Sequence, residues 1–227
     1  MRLFNRQDVE VLSMHIPKTD GASFLAVLEG VYGRSQVVRF DMRDSHVYLN
    51  EHRYPGRQLP GKRVLHGRFT FGRLQDRFTI PGSALAITWV RDPVERVVSS
   101  YNDVVAQLRG SMKTGAKLNP SSRVLRSLIE FARDSRCRDR QSRYFRSRSV
   151  EDFAFVGILE DYESEVLEAG RILGWKTVPR IPPTGTQRVK LEGVPPDWLD
   201  EIRELNAADI ALYQRCLQLR DARLAGR

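Results

Sequence analysis

The chain has 227 residues, 41% of them hydrophobic and 29% charged, which excludes a disordered polymer and suits one domain around one core. Its 37 Lys and Arg outnumber 28 Asp and Glu, leaving a net charge of +9. Such a surface attracts anions (nucleotides, nucleic acid, acidic glycans, anionic membranes) without choosing among them. Two cysteines, Cys137 and Cys216, lack metal-ligand spacing and make no disulfide scaffold. Met1 to Val11 has no apolar signal segment, and no stretch reaches the ~20 apolar residues of a membrane span. A reduced, soluble, cytoplasmic protein is the expectation.

In chain order, short apolar runs predict strands at 9–16, 36–40, 63–66, 84–90 and 153–159. Helical patterns over 21–31, 93–109, 121–134 and 160–173 separate them. The alternation predicts an α/β fold of three layers, a central mostly parallel sheet flanked by helices. Residues 110–120 are polar, with two glycines and a proline, and read as an exposed loop or lid. Residues 176–196 read as an irregular excursion, and 196–219 as a C-terminal helical layer broken near Asn206.

Two places along this pattern carry chemistry. The first strand meets Pro17-Lys18-Thr19-Asp20-Gly21-Ala22-Ser23 before a helix. A small-residue turn there aims backbone N–H groups and a helix N-terminus at one point, which favours an anion. Lys18 adds a full charge, and Thr19 and Ser23 add hydroxyls. The lysine precedes the glycine, so the Walker A pattern is absent. The plain alternative is an ordinary βα turn with Lys18 in solvent.

The second place is Arg91-Asp92-Pro93-Val94-Glu95-Arg96 after the strand at 84–90. Asp92 suits the N-cap, Pro93 the first helical position and Glu95 the third, a variant capping box. Val94, Val97, Val98, Tyr101, Val105 and Leu108 form one apolar stripe, which puts Ser99 on the other, exposed side near Arg96. Arg91 stands at the C-terminal end of its strand, where open α/β sheets bind ligands. Arg91 and Ser99 can together grip one phosphate. A capped surface helix with a structural arginine is the plain alternative.

His15 to Phe24, reading H-I-P-K-T-D-G-A-S-F, resembles the 5′-phosphosulfate loop of a PAPS-dependent sulfotransferase family. That family includes heparan sulfate 2-O- and 6-O-sulfotransferases and many bacterial enzymes, and its loop typically reads H-I-P-K-T-G-G-T-S. Asp20 replaces a small residue of that loop and Ala22 a hydroxyl residue. The spacing R-D-P-x-x-R-x-x-S-x-Y from Arg91 to Tyr101 resembles the family's 3′-phosphate motif. Arg63-Val-Leu-His66-Gly67-Arg68 resembles a segment in which a histidine serves as general base, with Arg68 where a second histidine often stands. Asp139 to Phe145 resembles an N-x-Q-T-R-Y-L segment near the cleft, and Leu205 to Tyr213 the C-terminal L-N-x-x-D-x-x-L-Y pattern.

The resemblance implies one P-loop-like sulfotransferase domain over 1–227 that moves a sulfuryl group from PAPS (3′-phosphoadenosine-5′-phosphosulfate) to a hydroxyl, with a carbohydrate as the acceptor and a bacterial setting. It implies that Pro17, Lys18, Thr19, Asp20, Gly21, Ala22 and Ser23 hold the 5′ side of the donor, and that Arg91 and Ser99 hold its 3′-phosphate. It gives Lys18 and His66 catalytic roles, with His15 in reserve, and sets Arg68 and Arg143 toward the acceptor. Neither a metal nor nucleic acid is expected as a partner. Two rival readings remain at this point: a nucleotide or nucleic-acid binder with a decayed site, and a P-loop kinase. All of it requires the Lys18 turn and the Arg91 corner to share one cleft.

Overall fold

The computed structural model of the chain describes residues 9–114, 126–181 and 191–226. Its sheet has seven strands: β1 (Val11–Met14), β2 (Val37–Arg43), β3 (His46–Leu49), β4 (His52–Tyr54), β5 (Val64–Gly67), β6 (Leu85–Val90) and β7 (Phe155–Ile158). Their spatial order is β4-β3-β2-β5-β1-β6-β7. The five strands from β2 to β7 run parallel, and β3 and β4 continue the sheet antiparallel. Each of the five predicted runs overlaps one parallel strand, with β2 and β5 running past the predicted ends to Arg43 and Gly67.

The β3–β4 hairpin is the part that the sequence pattern missed. The tight turn that enters it from β2, Asp44-Ser45, and the one that closes it, Asn50-Glu51, hold all four central residues at positive φ, from 48 to 69°. That is the paired left-handed geometry of a hairpin turn, usually signalled by glycine. Neither pair contains glycine. Asp44 and Asn50 tolerate the region through their short polar side chains.

Seven helices are described: α1 (Gly21–Tyr32), α2 (Phe71–Arg77), α3 (Pro93–Thr114), α4 (Leu128–Arg133), α5 (Tyr162–Ile172), α6 (Pro196–Leu205) and α7 (Ala207–Ala225). Alternate strand residues feed opposite faces of the sheet, as the two-residue period dictates. Val11, Val37, Val64, Ile87 and Phe155 pack with Phe24, Val27, Val166 and Ala169 of α1 and α5. Leu12, Val38, Leu65, Ala86 and Val156 face Leu74 of α2 and Cys216 of α7. The expected three layers are therefore present. A further core joins Val94, Val97 and Val98 of α3 to Leu128, Ile129 and Ile202.

Two boundaries differ from expectation. Residues 110–114, read as the start of a loop, continue α3; an exposed Gly110 costs a helix only about 1 kcal/mol relative to alanine. The helix predicted from 121 begins at Leu128. Ser127 caps it, its Oγ accepting from the Glu130 N–H while Glu130 accepts from the Ser127 N–H at 2.8 Å. The rest of the predicted loop at 115–120, the predicted helix at 121–125 and the excursion at 182–190 lie outside the described residues.

The break at Asn206 separates α6 from α7 and builds a buried clamp. Asp209, fully buried, accepts from the Gln141 N–H at 3.0 Å and the Ser142 N–H at 2.8 Å, and lies 3.7 Å from the Arg96 guanidinium. Asp139 returns the contact by accepting from the Ala208 and Asp209 N–H groups at 3.1 Å, which caps α7. The Asp209→Ala substitution removes the counter-charge of a buried arginine and strands two amides. It is expected to lower stability by about 3–5 kcal/mol, read as a fall in the urea midpoint; a shift under 1 kcal/mol would mean that water reaches Arg96.

Candidate active site

β1 and β6 are neighbouring parallel strands in register, Met14 beside Thr88, and the Thr88 hydroxyl donates to the Met14 carbonyl at 2.8 Å. The Lys18 turn and the Arg91 corner follow directly from these ends. Adjacent strands lie about 4.8 Å apart, so the two elements share one edge of the sheet. A second link crosses above it. The Lys18 ammonium pairs with the Asp103 carboxylate on α3, one helical turn beyond Ser99.

The turn itself is strained. Lys18 stands at φ 76° and Asp20 at φ 54°, both in the left-handed region. Such a conformation costs a non-glycine residue roughly 1–2 kcal/mol. Asp20 ends the turn as the residue before α1 and is buried. Its Oδ1 accepts from the Ser23 hydroxyl at 2.9 Å, while the Thr19 hydroxyl donates to the Ile16 carbonyl at 2.8 Å. Both hydroxyls that the sequence offered as donors at the turn thus make bonds inside the loop. Gly21 lies under the His15 ring; a Cβ there would sit 2.3 Å from the imidazole Nδ1, so no larger residue fits. Pro17 is half-buried and Ala22 exposed.

The Arg91 corner is held from three sides. The Gln141 side chain accepts from the Arg91 N–H at 2.9 Å and donates to the Arg91 carbonyl at 2.7 Å. Glu160 accepts from the Asp92 N–H at 2.8 Å, and Tyr213 donates to the same carboxylate at 3.0 Å. Asp92 accepts from the Glu95 N–H at 2.9 Å, the cap read from the sequence. The Arg91 guanidinium is buried and donates to Glu95 at 2.9 Å. Ser99 departs from expectation, being buried rather than solvent-facing. The helical wheel of α3 showed one apolar stripe, but the Cys137 carbonyl, Asn206 and Asp209 cover the side bearing Arg96 as well. Arg96 donates there to the Cys137 carbonyl at 2.7 Å, and burial lowers its pKa to about 10.

His66 and His15 form a stacked pair, ring centroids 5.7 Å apart. His66 lies on β5 beneath α1, only 4% exposed, with its Nδ1 2.8 Å from the Ser13 hydroxyl and its ring against Phe24. It is therefore the lower member, and His15 is the half-buried ring above it, next to the Lys18 turn. Burial draws the His66 pKa down to about 4, partly offset by a backbone hydrogen bond with Gly21. His15 is held well below its ordinary value by burial, then by His66, Arg68, Arg39 and Lys18. Both rings are neutral near pH 7.

Arg68 is exposed just past β5, its N–H donating to Asp41 at 2.8 Å. With Arg39, Arg73 and Tyr144 it lines a pocket of about 220 Å³. Arg143 turns elsewhere, donating to the Ser135 carbonyl at 2.7 Å, and its neighbour Tyr144 takes the place expected for it. Sequence reasoning did not single out Asp103 or Arg39, set Gln141 in a segment near the cleft, and treated Glu160, Asp209 and Tyr213 as scaffold. Only the four-residue spacing of Ser99 and Asp103 on one helix could have flagged Asp103. Among the described residues no group of three or more His, Cys, Asp or Glu could hold a metal ion, and no helix is long and apolar enough to cross a membrane.

Residues 2–214 match the model of the sulfotransferase family. The chain belongs to that family. Two solved sulfotransferases are similar to this one. Mouse sulfotransferase SULT7A1, complexed with PAP, is 12% identical with a TM-score of 0.45, over 90% of this chain and 66% of that one. A sulfotransferase from Alicyclobacillus acidocaldarius is 14% identical with a TM-score of 0.45, over 92% and 96%. The chain spans about two thirds of the mouse protein's length. No curated protein matches it.

The buried histidines of this sulfotransferase give a signed pH prediction. Unfolded His66 takes a proton near pH 6.5, whereas the folded ring resists until about pH 4. Its contribution is therefore complete above pH 6.5 and drains away as pH falls through that window. Stability is expected to drop by about 2 kcal/mol from His66 alone between pH 7.5 and pH 5, and His15 adds in the same direction. Urea unfolding at the two pH values checks this, and His66→Gln should shrink the drop by that amount. An unchanged pH dependence in the variant would show that His66 is already solvated.

Proposed function

We propose that this chain transfers the sulfuryl group of PAPS to an acceptor hydroxyl on a carbohydrate or glycoconjugate, acting as one domain over 1–227. The observation that carries the reading is the shared edge: the Lys18 turn and the Arg91–Ser99 element follow neighbouring strands, and the Lys18–Asp103 pair ties them together. One nucleotide bearing phosphate at both ends of its ribose spans such an edge. The α1 N-terminus with Pro17, Lys18, Thr19, Asp20, Gly21, Ala22 and Ser23 holds the 5′ side, and Arg91 with Ser99 holds the 3′-phosphate.

PAPS supplies an activated sulfuryl group. Lys18 leaves Asp103 and neutralises the negative charge that builds on the oxygen bridging phosphate and sulfate, the stabilisation that such transfers demand most. The acceptor oxygen forms its bond to sulfur as that bridge breaks, and the hydroxyl proton passes to the histidine pair. Neutral imidazole is the form that can accept it. His15 is the less buried ring of the two, and His66 stacks against it. The donor leaves as PAP, its 3′-phosphate unchanged.

One observation favours a second reading. The Asp20 carboxylate is buried at the anion-binding turn, and its Oδ2 has no hydrogen-bond partner among the described residues. A like charge there opposes the sulfonated end of the donor, which suits a decayed site that still binds nucleotide through its other elements but has lost turnover.

An acceptor screen with radiolabelled PAPS separates the readings. Transfer to a glycan is expected, with Lys18→Ala reducing turnover at least about 100-fold and Arg91→Ala abolishing PAP binding. Equal or tighter binding of ADP than of PAP would sink the sulfotransferase reading, and PAP binding without any transfer would favour the second. The Asp20→Gly substitution tests the carboxylate directly. It removes the like charge and gives the left-handed position its natural residue, so PAP should bind roughly tenfold more tightly. Weaker binding by calorimetry would instead assign Asp20 a positive part in holding Ser23.

A further inference from the structure

The core beneath the Lys18 turn holds three polar side-chain atoms that have no hydrogen-bond partner among the described residues: Asp20 Oδ2, the Tyr162 hydroxyl and the Trp89 indole nitrogen. All three residues are buried, Asp20 the most accessible of them at 7%. Folded proteins leave few buried polar groups unmatched. Here the unmatched groups are complementary, because a carboxylate oxygen accepts while a phenol and an indole N–H donate.

They also come from neighbouring places. Asp20 follows β1, Trp89 lies on β6 and Tyr162 follows β7, and these three strands are adjacent in the sheet. The Trp89 ring links them. It stands 5.0 Å from the Phe24 ring of α1 and 4.9 Å from the Tyr162 ring, and a Cβ on Gly157 would come within 2.5 Å of it. The Phe24 N–H in turn donates to the Asp20 carbonyl at 3.2 Å. Burial first, and then the Asp20 charge, push the Tyr162 pKa up. The hydroxyl therefore keeps its proton and meets a carboxylate only as a donor.

Donor binding changes what Asp20 has to hold. In this structure the Ser23 hydroxyl gives its single proton to Asp20 Oδ1 at 2.9 Å. To hold the 5′-phosphate of the donor, Ser23 must aim that proton at the phosphate instead. Asp20 would then lose this hydroxyl just as a second anion arrives beside it. Resting on the sulfotransferase reading, we propose that Tyr162 is a positioning residue for the donor: as Ser23 turns to the 5′-phosphate, the Asp20 carboxylate turns inward to the Tyr162 hydroxyl, directly or across one trapped water. No proton or bond changes hands in the exchange. Asp20 latches Ser23 in the empty protein, and Tyr162 latches Asp20 in the occupied one. The carboxylate that opposes the donor thus has a second seat, turned away from it.

The test measures PAP binding by calorimetry with the full chain, Asp20→Gly, Tyr162→Phe and the double variant. Tyr162→Phe is expected to weaken PAP about tenfold. The urea midpoint of the empty protein should not fall with it, because the hydroxyl removed has no partner there. Where Asp20→Gly is already present, the same substitution should change PAP affinity by less than about twofold. Equivalently, the roughly tenfold gain expected of Asp20→Gly alone grows to about a hundredfold when Tyr162→Phe is already present. A packing role by itself would lower the midpoint and weaken PAP equally in both backgrounds. That result, or a PAP affinity that Tyr162→Phe leaves unchanged, would overturn the exchange. If the native chain and Asp20→Gly both fail to bind PAP, it is the sulfotransferase reading that has failed.

Discussion

The structure depends most on how the Arg91–Asp92 peptide corner is fastened. A strand that ends inside a protein leaves backbone N–H and C=O groups without ladder partners, and buried groups of that kind must find others. Here the Gln141 amide serves both sides of Arg91, and Glu160 serves Asp92. These partners are themselves held: Gln141 by Asp209, and Glu160 by Tyr213, both on α7. The C-terminal helix, far along the chain, therefore sets the position of an arginine at the active edge. Each bond is worth only about 1 kcal/mol, but leaving any of these buried groups unmatched costs more than the bond gives.

The Lys18 turn is built on the opposite plan. It has few outside supports and stores strain in two left-handed residues, Lys18 and Asp20. What holds it is internal, Thr19 to Ile16 and Ser23 to Asp20, together with the close seat of Gly21 against His15. A rigid corner beside a strained turn suits the proposed group transfer, in which one end of a nucleotide would be anchored while Lys18 changes partners. The Lys18–Asp103 pair is exposed, with Asp103 54% accessible, so solvent screens it and the exchange is cheap.

The same sheet edge grades from one kind of chemistry to another. The elements proposed to hold the donor's anionic groups lie at β6 and β1, two neutral histidines at β1 and β5, and an arginine-lined pocket at β5 and β2. Parallel topology makes this possible, because every strand from β2 to β7 delivers its following loop to the same side. The histidines owe their neutrality to the burial and cationic company that this arrangement imposes.

By itself the sequence determined the elements whose cause is local. The five parallel strands, the Asp92–Pro93–Glu95 cap and the glycine-bearing turn each follow from a few consecutive residues, and so does the family to which they point. Tertiary structure alone decided the rest. It buried Ser99 and Arg96, because a helical wheel shows one apolar stripe but not a second neighbour packing on the far side. It placed His66 under His15, since strand register is not written in either strand. It paired Lys18 with Asp103 across 85 positions of chain and turned Tyr144 rather than Arg143 to the pocket. Local spacing fixes backbone conformation, whereas exposure and pairing are properties of distances between segments that only the packed sheet brings together.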